Sequence, residues 1–401
     1  MHCDVLVIGA GPGGSAAAYW LSRFGADVIL VDRAHFPRNK PCGDGLGPGV
    51  EEMLLAMGLG DFLASSGCRY QGLRLFYPIE NNGLEPEYND LEFKAIAGWT
   101  IPRYILDDEL RKSAESAGAR FLGGYSAQRP IYRDGQLCGI SGMRGGQQVS
   151  IHAPLTILAT GANRTLLRQM GFLSNDSIPS LSIRTYLPHR GGLDASLQVY
   201  LDPDLFPGYA WIFPGPDDCA NAGCIMSLER TTATLASYQL KASLGRLVQT
   251  HATNTEALSR GVYLDKPQGF PLRSDFPNVP VYKPGVMVVG EAAGLVDPIT
   301  GEGIYTALRS GWLAARVANF ALDAGDFSVE PLKVYSDILR EWYGDYYEAA
   351  RQFISWLSQP GREASLIRQT KDNPQVRSGL EEALLRRHPA VGLSILQDEI
   401  T

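Results

Sequence analysis

The chain has 401 residues, of which 45% are hydrophobic and 20% are charged. This is the composition of a globular protein with two or three domains, and the net charge of -7 argues against a nucleic-acid partner, which would require a basic face. The six cysteines show no CxxC spacing and the six histidines show no metal-binding spacing, so we expect free thiols and no metal.

The first thirty residues predict a strand, a turn, a helix and a second strand. The apolar run Val5–Ile8 is typical of a strand buried in a parallel sheet, and no basic leader precedes it. We expect a helix over Ser15–Phe24, ended by Gly25, and then a buried strand over 28–31 closed by Asp32. Since no apolar run reaches 18 residues, we expect a cytoplasmic protein, with contact to a membrane surface as its closest approach to a bilayer.

The turn after the first strand reads G-x-G-x-x-G. Gly9 permits the tight turn, Gly11 lets a pyrophosphate approach the backbone, and Gly14 lets the helix pack close to the sheet. The helix N-terminus attracts the phosphates, and Asp32 can accept both ribose hydroxyls. This arrangement predicts a dinucleotide site, although the motif by itself does not distinguish FAD from NAD. The residues expected to form this part of the site are Gly9, Gly11, Pro12, Gly13, Gly14, Asp32 and Arg33.

The next segment, "KPCGDGLGPG" at 40–49, holds the thiol of Cys42 in a glycine-rich run whose only large apolar residue is Leu46. This composition predicts a flexible loop rather than a helix or a buried strand.

Three later segments add further elements. Arg103 ends a strand-like piece and is followed by an amphipathic helix over Leu106–Ala117. Buried strands are expected at 155–158 and at 286–289. The second of these leads into a Pro/Gly-rich loop and a long helix from about Gly303.

With these segments the chain resembles the FAD-dependent oxidoreductases of the p-hydroxybenzoate hydroxylase type. The matching positions are Arg103, Asp107, Leu110, 159–161 and 290–303, and Glu291 stands where this family usually has Asp. The resemblance implies FAD as the cofactor. The contacts that it implies are Arg103, Ala159, Thr160, Gly161, Gly290, Glu291, Pro298, Gly301, Gly303 and Ile304.

The last of these motifs also has a chemical reason. A reduced flavin carries negative charge around N1 and the C2 carbonyl, and a helix N-terminus aimed there would stabilise it. Gly301 and Gly303 lack side chains, so backbone N–H groups can come close to that charge, and Pro298 fixes the loop ahead of them.

Two further segments, "PCGDGLGPG" and "FPGYAWIFP" at 206–214, are similar to the geranylgeranyl reductase branch, and the resemblance covers about residues 3–320. Its first motif matches at Lys40, Cys42, Gly43 and Gly45. Its second motif has Pro207 one residue closer to the tyrosine and Ile225 in place of a glycine. Members of this branch reduce isolated C=C bonds of prenyl chains. The resemblance therefore implies a hydrophobic or lipid substrate, and cofactor contacts from Lys40, Cys42 and Gly43.

Three aromatic residues, Tyr209, Trp211 and Phe213, alternate along one strand and therefore share one face. We expect them to form one side of a substrate tunnel over the flavin, the alternative being that they are sheet core. The Cys42 thiol is expected either to donate the proton or to modulate the flavin, and Asp44 and Tyr209 are other candidate proton donors. The alternative for Cys42 is a small buried residue in a tight loop.

The predicted architecture is an α/β FAD-binding Rossmann-like domain of the p-hydroxybenzoate hydroxylase and glutathione reductase type. We expect an inserted antiparallel-sheet substrate domain and a C-terminal helical region. The FAD-binding pieces are 1–66, 100–165 and 275–325, the substrate pieces are 67–99 and 166–274, and the helical region is 326–401. Aromatic residues from Trp342 to Trp356 recur at helical spacing, which favours helix packing over a membrane-facing rim around a lipid entry.

Two questions remain open at this level. With a single dinucleotide fingerprint, the reductant is expected to dock transiently, as NAD(P)H or as a protein such as ferredoxin. A monooxygenase or halogenase is the main alternative function, because "GYAWIFP" is close to the G-W-x-W-x-I-P segment of halogenases, with Tyr209 and Phe213 as departures. A non-catalytic flavin-fold protein that binds prenylated partners is a third class.

Overall fold

A six-stranded sheet contains the first predicted strand at its centre. The structure, a computed structural model, describes residues 1–78, 88–173, 180–189, 193–228, 231–254, 263–359 and 361–385. Within these residues the sheet has the order β16-β17-β10-β1-β2-β6, parallel except for the β16–β17 pair. Its strands are β1 (Val5–Ile8), β2 (Val28–Asp32), β6 (Arg120–Gly123), β10 (Leu155–Leu158), β16 (Tyr282–Lys283) and β17 (Val286–Val288). The central strands β1 and β10 are buried along their whole length, as their continuous apolar sequences predicted.

Helices cover this sheet, and two of them begin earlier than the sequence predicted. Helix α1 covers Pro12–Arg23, because proline is favourable in the first turn, where its missing N–H costs nothing. The prediction that Arg103 ends a strand was wrong, since Arg103 is the first residue of α4. The helices of this part of the chain are α1, α2 (Pro48–Ala56), α3 (Gly60–Ser66), α4 (Arg103–Ser116), α5 (Thr165–Gln169) and α7 (Ile304–Ala324), with a 3-10 turn at Gly290–Ala293.

A second, eight-stranded sheet has the order β15-β11-β14-β13-β12-β4-β5-β3 within the described residues. It is antiparallel apart from the parallel pair β12–β4, a difference from the fully antiparallel sheet that was predicted. The two strands are joined through more than a hundred residues, so no hairpin forces them to be antiparallel. The strands are β3 (Gly45–Leu46), β4 (Cys68–Pro78), β5 (Tyr88–Thr100), β11 (Ser180–Pro188), β12 (Leu197–Tyr200), β13 (Tyr209–Pro214), β14 (Cys219–Ser227) and β15 (Gln268–Leu272). Helix α6 (Ala233–Asn254) packs on β14 and β11.

The short strand β3 lies inside the segment that was predicted to be only a loop. It pairs with the end of β5, so the prediction that no strand forms there was wrong for Gly45 and Leu46. The prediction that the segment holds no helix was also wrong at its end, because Pro48 and Gly49 are the first residues of α2. Leu46 is buried, and its apolar side chain gives this piece of the loop a place in the core.

Three more helices close the described chain: α8 (Val329–Leu357), α9 (Arg362–Asp372) and α10 (Pro374–Leu385). The predicted C-terminal helical region, 326–401, is described only to residue 385, and its remainder lies outside the described residues. A three-stranded antiparallel sheet, β7 (Tyr125–Arg133), β8 (Gln136–Arg144) and β9 (Gln147–His152), was not predicted. The fold class is confirmed: an FAD-binding α/β fold, a second large sheet and a C-terminal helical region. The domain boundaries themselves stay a prediction.

Candidate functional site

A cavity of about 1060 Å³ extends from the loops of the six-stranded sheet across one face of the eight-stranded sheet to the C-terminal helices. All the residues that the sequence predicted for the site line this cavity except Gly14 and Pro298. Gly14 packs against the sheet instead, as its predicted role requires.

The turn after β1 requires glycine at two positions. Gly9 has a φ of +104°, and a Cβ on it would lie 2.2 Å from the carbonyl oxygen of Ala159. A Cβ on Gly14 would lie 1.8 Å from the carbonyl oxygen of Gly9. Asp32 ends β2, and its Oδ2 accepts the Ala10 N–H at 2.9 Å, so its carboxylate is held at the rim of this turn.

Two arginines share one buried carboxylate beside this turn. Arg103 donates from Nε and Nη2 to Asp107 at 2.7 and 2.8 Å, and Arg38 Nη1 lies 2.8 Å from the same carboxylate. A Cβ on Gly11 would lie 3.5 Å from Arg38 Nη2. Two positive charges on one negative charge leave a net positive charge at the cavity wall, which fits the pyrophosphate of a dinucleotide. Sequence reasoning missed Arg38, because no motif marks its loop.

A second ion pair lines the same cavity. Lys40 Nζ lies 2.9 Å from Glu291 Oε2, and a Cβ on Gly161 would lie 3.4 Å from the same oxygen. Glu291 Oε1 is buried and makes no hydrogen bond within the described residues. An unsatisfied buried carboxylate oxygen on a cavity wall fits a ligand hydroxyl, as the ribityl chain of FAD would provide.

The loop before α7 is more tightly capped than the sequence predicted. Gly301 has a φ of +65°, which favours glycine. The carboxylate of Glu302 accepts the N–H groups of Ile304 and Tyr305 at 2.5 and 2.8 Å. Ile304 was predicted to contact the flavin, and its backbone N–H is already bonded here, so a flavin contact at that atom requires this carboxylate to move.

Tyr209, the first residue of β13, connects that strand to the same loop by a hydrogen bond. Its hydroxyl donates to the carbonyl of Thr300, and burial raises the pKa of its phenol. Since this proton is already used in a hydrogen bond, Tyr209 suits a positioning contact better than proton donation. Its catalytic role stays a prediction.

The Cys42 loop is held at several points, which differs from the flexible loop that was predicted. Arg184 donates to Asn39 Oδ1 at 2.7 Å, Asn221 Nδ2 donates to the Cys42 carbonyl at 2.7 Å, and Tyr70 donates to the Leu46 carbonyl at 3.2 Å. All three donors belong to the eight-stranded sheet, so that sheet holds the loop in place.

The Cys42 thiol is half-buried on the cavity wall. Burial raises its pKa, and the Arg103 guanidinium opposes the rise. A neutral thiol at physiological pH beside a cation that can stabilise its thiolate has the properties of a proton donor.

Asp44 is 2% exposed and lies two residues further along. Its Oδ2 accepts the Tyr186 hydroxyl at 2.5 Å and Asn221 Nδ2 at 2.8 Å. Burial raises the pKa of Asp44 to about 6, although these hydrogen bonds favour its charged form. Its backbone N–H donates to Cys42 Sγ at 3.4 Å.

The aromatic residues of β13 form one continuous wall. The ring centroids of Tyr209 and Trp211 are 6.0 Å apart, and those of Trp211 and Phe213 are 6.1 Å apart. All three line the cavity, so they share one face as predicted. A Cβ on Gly223 would lie 2.2 Å from the Trp211 indole, so the indole packs directly against this glycine. The rings are both packed sheet residues and cavity lining, and contact with substrate stays a prediction.

The cavity continues into an apolar chamber that sequence reasoning did not identify. Its walls are the aliphatic side chains of β4 and β12 on one side and of three helices on the other. These residues are Leu73, Leu75, Leu197, Val199, Ile354, Leu357, Leu366, Leu380 and Leu384. The helical periodicity of the C-terminal region predicted packing, and the face that turns toward the cavity depends on how the helices dock.

Comparison with known proteins agrees with this arrangement. The FAD binding domain family matches residues 2–182. A menaquinone reductase of Mycobacterium tuberculosis is 33% identical over 373 residues, which cover 89% of this chain and 84% of that protein. A digeranylgeranylglycerophospholipid reductase of Methanothrix thermoacetophila is 30% identical over 349 residues, which cover 86% and 84%.

Two solved structures share the fold. A geranylgeranyl bacteriochlorophyll reductase-like protein from Thermoplasma acidophilum has a TM-score of 0.78 at 23% identity and covers 99% of both chains. The flavin-dependent brominase Bmp2 has a TM-score of 0.76 at 18% identity and covers 100% of this chain and 98% of that one. At these identities the structures establish the fold alone.

Fold and site together define an FAD-dependent oxidoreductase. Within that class, the chain belongs to the geranylgeranyl reductase family.

Proposed function

We propose that this protein hydrogenates isolated C=C bonds of a prenyl chain of the geranylgeranyl type, with reduced FAD as the hydride source. The observation that carries the proposal is the continuity of the cavity. One end has the glycine turn and ion pairs suited to FAD, the other end is the apolar chamber, and Cys42 and the aromatic wall lie on the walls of the same cavity. The reductases that the chain resembles are named for prenylated quinone and lipid substrates, which supports the same substrate class.

Reduction of an isolated C=C bond requires a hydride at one carbon and a proton at the other. The glycine turn, Lys40 and Glu291 would hold FAD, which in its reduced state would supply the hydride. We propose that Cys42 gives its proton to the other carbon and becomes a thiolate, which Arg103 stabilises by charge. Proton uptake from solvent then restores the thiol, so each reduced bond gains two hydrogens and Cys42 is unchanged.

The apolar chamber gives the chain a dry environment. Aliphatic side chains from the sheet and the helices exclude water, so the prenyl chain binds through buried apolar surface. The aromatic wall would hold the reacting segment flat beside Cys42.

Two partners belong to the proposal. The reductant is a transiently docked NAD(P)H or a reduced protein such as ferredoxin. The lipid substrate is reached at a membrane surface. No helix in the described part of the chain combines the length and apolar character needed to cross a bilayer.

The test is anaerobic. The purified yellow protein is reduced with dithionite, mixed with geranylgeranyl diphosphate or a geranylgeranyl lipid, and followed at the flavin band near roughly 450 nm. Return of this absorbance, with product gaining two hydrogens per reduced bond, supports the reductase.

A flavin that stays reduced until oxygen is admitted overturns the proposal. It would favour a monooxygenase or halogenase, the functional class of one protein that shares the fold. A product carrying oxygen or halogen would identify that reaction.

A further inference from the structure

The side-chain amide of Asn221 joins two distant parts of the candidate site, the aromatic wall of β13 and the Cys42 loop. Its Oδ1 accepts the Trp211 indole N–H at 2.9 Å, and its Nδ2 donates to the Cys42 carbonyl at 2.7 Å and to Asp44 Oδ2 at 2.8 Å. We propose that Asn221 is a positioning residue that sets the Cys42 thiol against the aromatic wall. The inference rests on the proposed function for its catalytic meaning.

The position of Asn221 explains why one side chain reaches all three groups. It lies in β14 directly opposite Phe213 of β13 and is 3% exposed. A Cβ on Gly43 would lie 3.3 Å from the Phe213 ring and 3.4 Å from Trp211 Nε1, so the loop rests directly on the wall. The amide therefore sits at the junction between wall and loop.

The chemistry of the contact requires a primary amide. An amide has one carbonyl oxygen and two N–H groups. Here the oxygen accepts a hydrogen bond from the aromatic wall, and the N–H groups donate hydrogen bonds to the loop. Leucine has nearly the same size and makes none of these bonds. An ionised aspartate accepts from Trp211, donates nothing, and adds a second negative charge beside Asp44.

Other bonds hold the two ends of the loop. Arg184 binds Asn39 at its start, and Gly45–Leu46 pairs with Thr100 and Trp99 at its end. Loss of the Asn221 amide should therefore free the middle of the loop, where Cys42 lies, without unfolding the ends. A local effect on Cys42, with both ends of the loop intact, would distinguish a positioning role of Asn221 from a general structural role.

The test compares Asn221→Leu with the matched control Gln198→Leu in the FAD-loaded protein. Gln198 is a buried amide of β12, separated from β14 by β13 in the same sheet, is 8% exposed, and accepts the Tyr200 hydroxyl. Alkylation of Cys42 by iodoacetamide is followed by peptide mass spectrometry, with half-buried Cys68 as the internal reference. We expect Cys42 alkylation to rise about tenfold in Asn221→Leu, with Cys68 unchanged and the control equal to wild type.

Turnover supplies the second readout. With a prenyl substrate, we expect kcat to fall about tenfold in Asn221→Leu while KM stays within about twofold, because the apolar chamber is untouched. An equal loss in Gln198→Leu would reduce Asn221 to a structural role and overturn the inference.

Asn221→Asp tests the positioning role of Asn221 if the leucine variant does not fold. It keeps the shape and should also expose Cys42 to alkylation above about pH 7, where both carboxylates favour ionisation. Wild-type alkylation in every folded Asn221 variant overturns the inference. Faster alkylation in a protein whose wild type reduces no prenyl chain keeps the positioning contact and rejects only the proposed function.

Discussion

The phenol of Tyr346, in α8, donates a hydrogen bond of 2.8 Å to Asp297 Oδ2 in the loop before α7. Oδ1 of the same aspartate accepts the backbone N–H groups of Ile299 and Thr300 at 2.9 and 2.8 Å. The same helix lines the apolar chamber through Ile354 and Leu357. One helix thus contacts both the loop proposed for the flavin and the chamber proposed for the substrate.

Tyr346→Phe should loosen that loop. Removing a buried hydrogen bond to a carboxylate is expected to cost about 1.5–3 kcal/mol of stability and to change the flavin reduction potential. Potentiometric titration and denaturant unfolding measure the two effects. Tyr335→Phe is the control, because Tyr335 of the same helix donates to the Val288 carbonyl of the sheet. A potential that moves equally in both variants would contradict the special role of Tyr346.

Gly11→Val should give a folded protein that binds FAD much more weakly and is purified without stoichiometric flavin. A Cβ at Gly11 meets only the flexible end of Arg38 at 3.5 Å, so the fold tolerates it, whereas the rest of the side chain enters the space proposed for the pyrophosphate. We expect FAD affinity to fall by about 3 kcal/mol, or about a hundredfold. Gly245→Val in α6, where a Cβ meets nothing within 4 Å, is the control. A yellow, stoichiometric Gly11→Val protein would disprove the assignment.

Cys42→Ser should keep the flavin and slow alkene reduction. A serine hydroxyl is a far weaker acid, and loss of a general acid lowers rates by about 10²–10⁴-fold. Single-turnover reoxidation of reduced flavin by substrate measures the step. Cys68→Ser, a half-buried thiol outside the cavity lining, is the control and should react at the wild-type rate. Unchanged turnover in Cys42→Ser would remove this thiol from the mechanism.

Trp211→Ala should weaken long prenyl substrates more than short ones. The indole is the middle of the aromatic wall, so its loss removes apolar contact along the chain, at about 25 cal/mol per Å². Comparing kcat/KM for geranyl and geranylgeranyl substrates measures the effect. Trp211→Phe keeps an aromatic ring without the indole N–H and separates wall contact from the bond to Asn221. Equal losses for both chain lengths would leave Trp211 a sheet residue only.

Asp44→Asn should change how stability depends on pH. The pKa of Asp44 is raised from 3.8 to about 6 in the fold, so the native protein binds more protons than the unfolded chain between those values. Its stability therefore falls as pH rises through this window, by on the order of 3 kcal/mol. The asparagine variant has no titrating carboxyl at this position and therefore lacks this pH-dependent change in stability. The stability of the variant relative to wild type should rise from about pH 4 to about pH 7 in denaturant titrations, and a flat difference would reject the raised pKa.

Local patterns were sufficient for much of the dinucleotide end of the site. The strand, turn and helix of residues 5–23 form a continuous unit, and each glycine role there depends on backbone geometry within that unit or on its nearest strand. Alternation along β13 likewise placed three rings on one face, because side chains in a strand change sides at every residue.

Contacts between distant segments could not be predicted from such local patterns. Asn221 could have been singled out in the sequence, because it is a lone amide in a strand of otherwise small and mostly apolar residues. Its partners in the Cys42 loop could not be predicted, because they lie 179 and 177 residues away. Arg38 and the chamber side chains of α8, α9 and α10 gave no motif.

The sequence by itself determined the dinucleotide-binding turn and the shared face of the three aromatic residues of β13, because each is encoded by residue types at short, fixed spacing; FAD and the fold class followed from the family resemblance of several such motifs. Only the tertiary structure decided that the loop is held by the second sheet, that Glu302 caps the α7 N-terminus, and that the C-terminal helices enclose an apolar chamber. The physical reason is that periodicity specifies which face of an element is apolar, while packing against the rest of the chain specifies what that face meets.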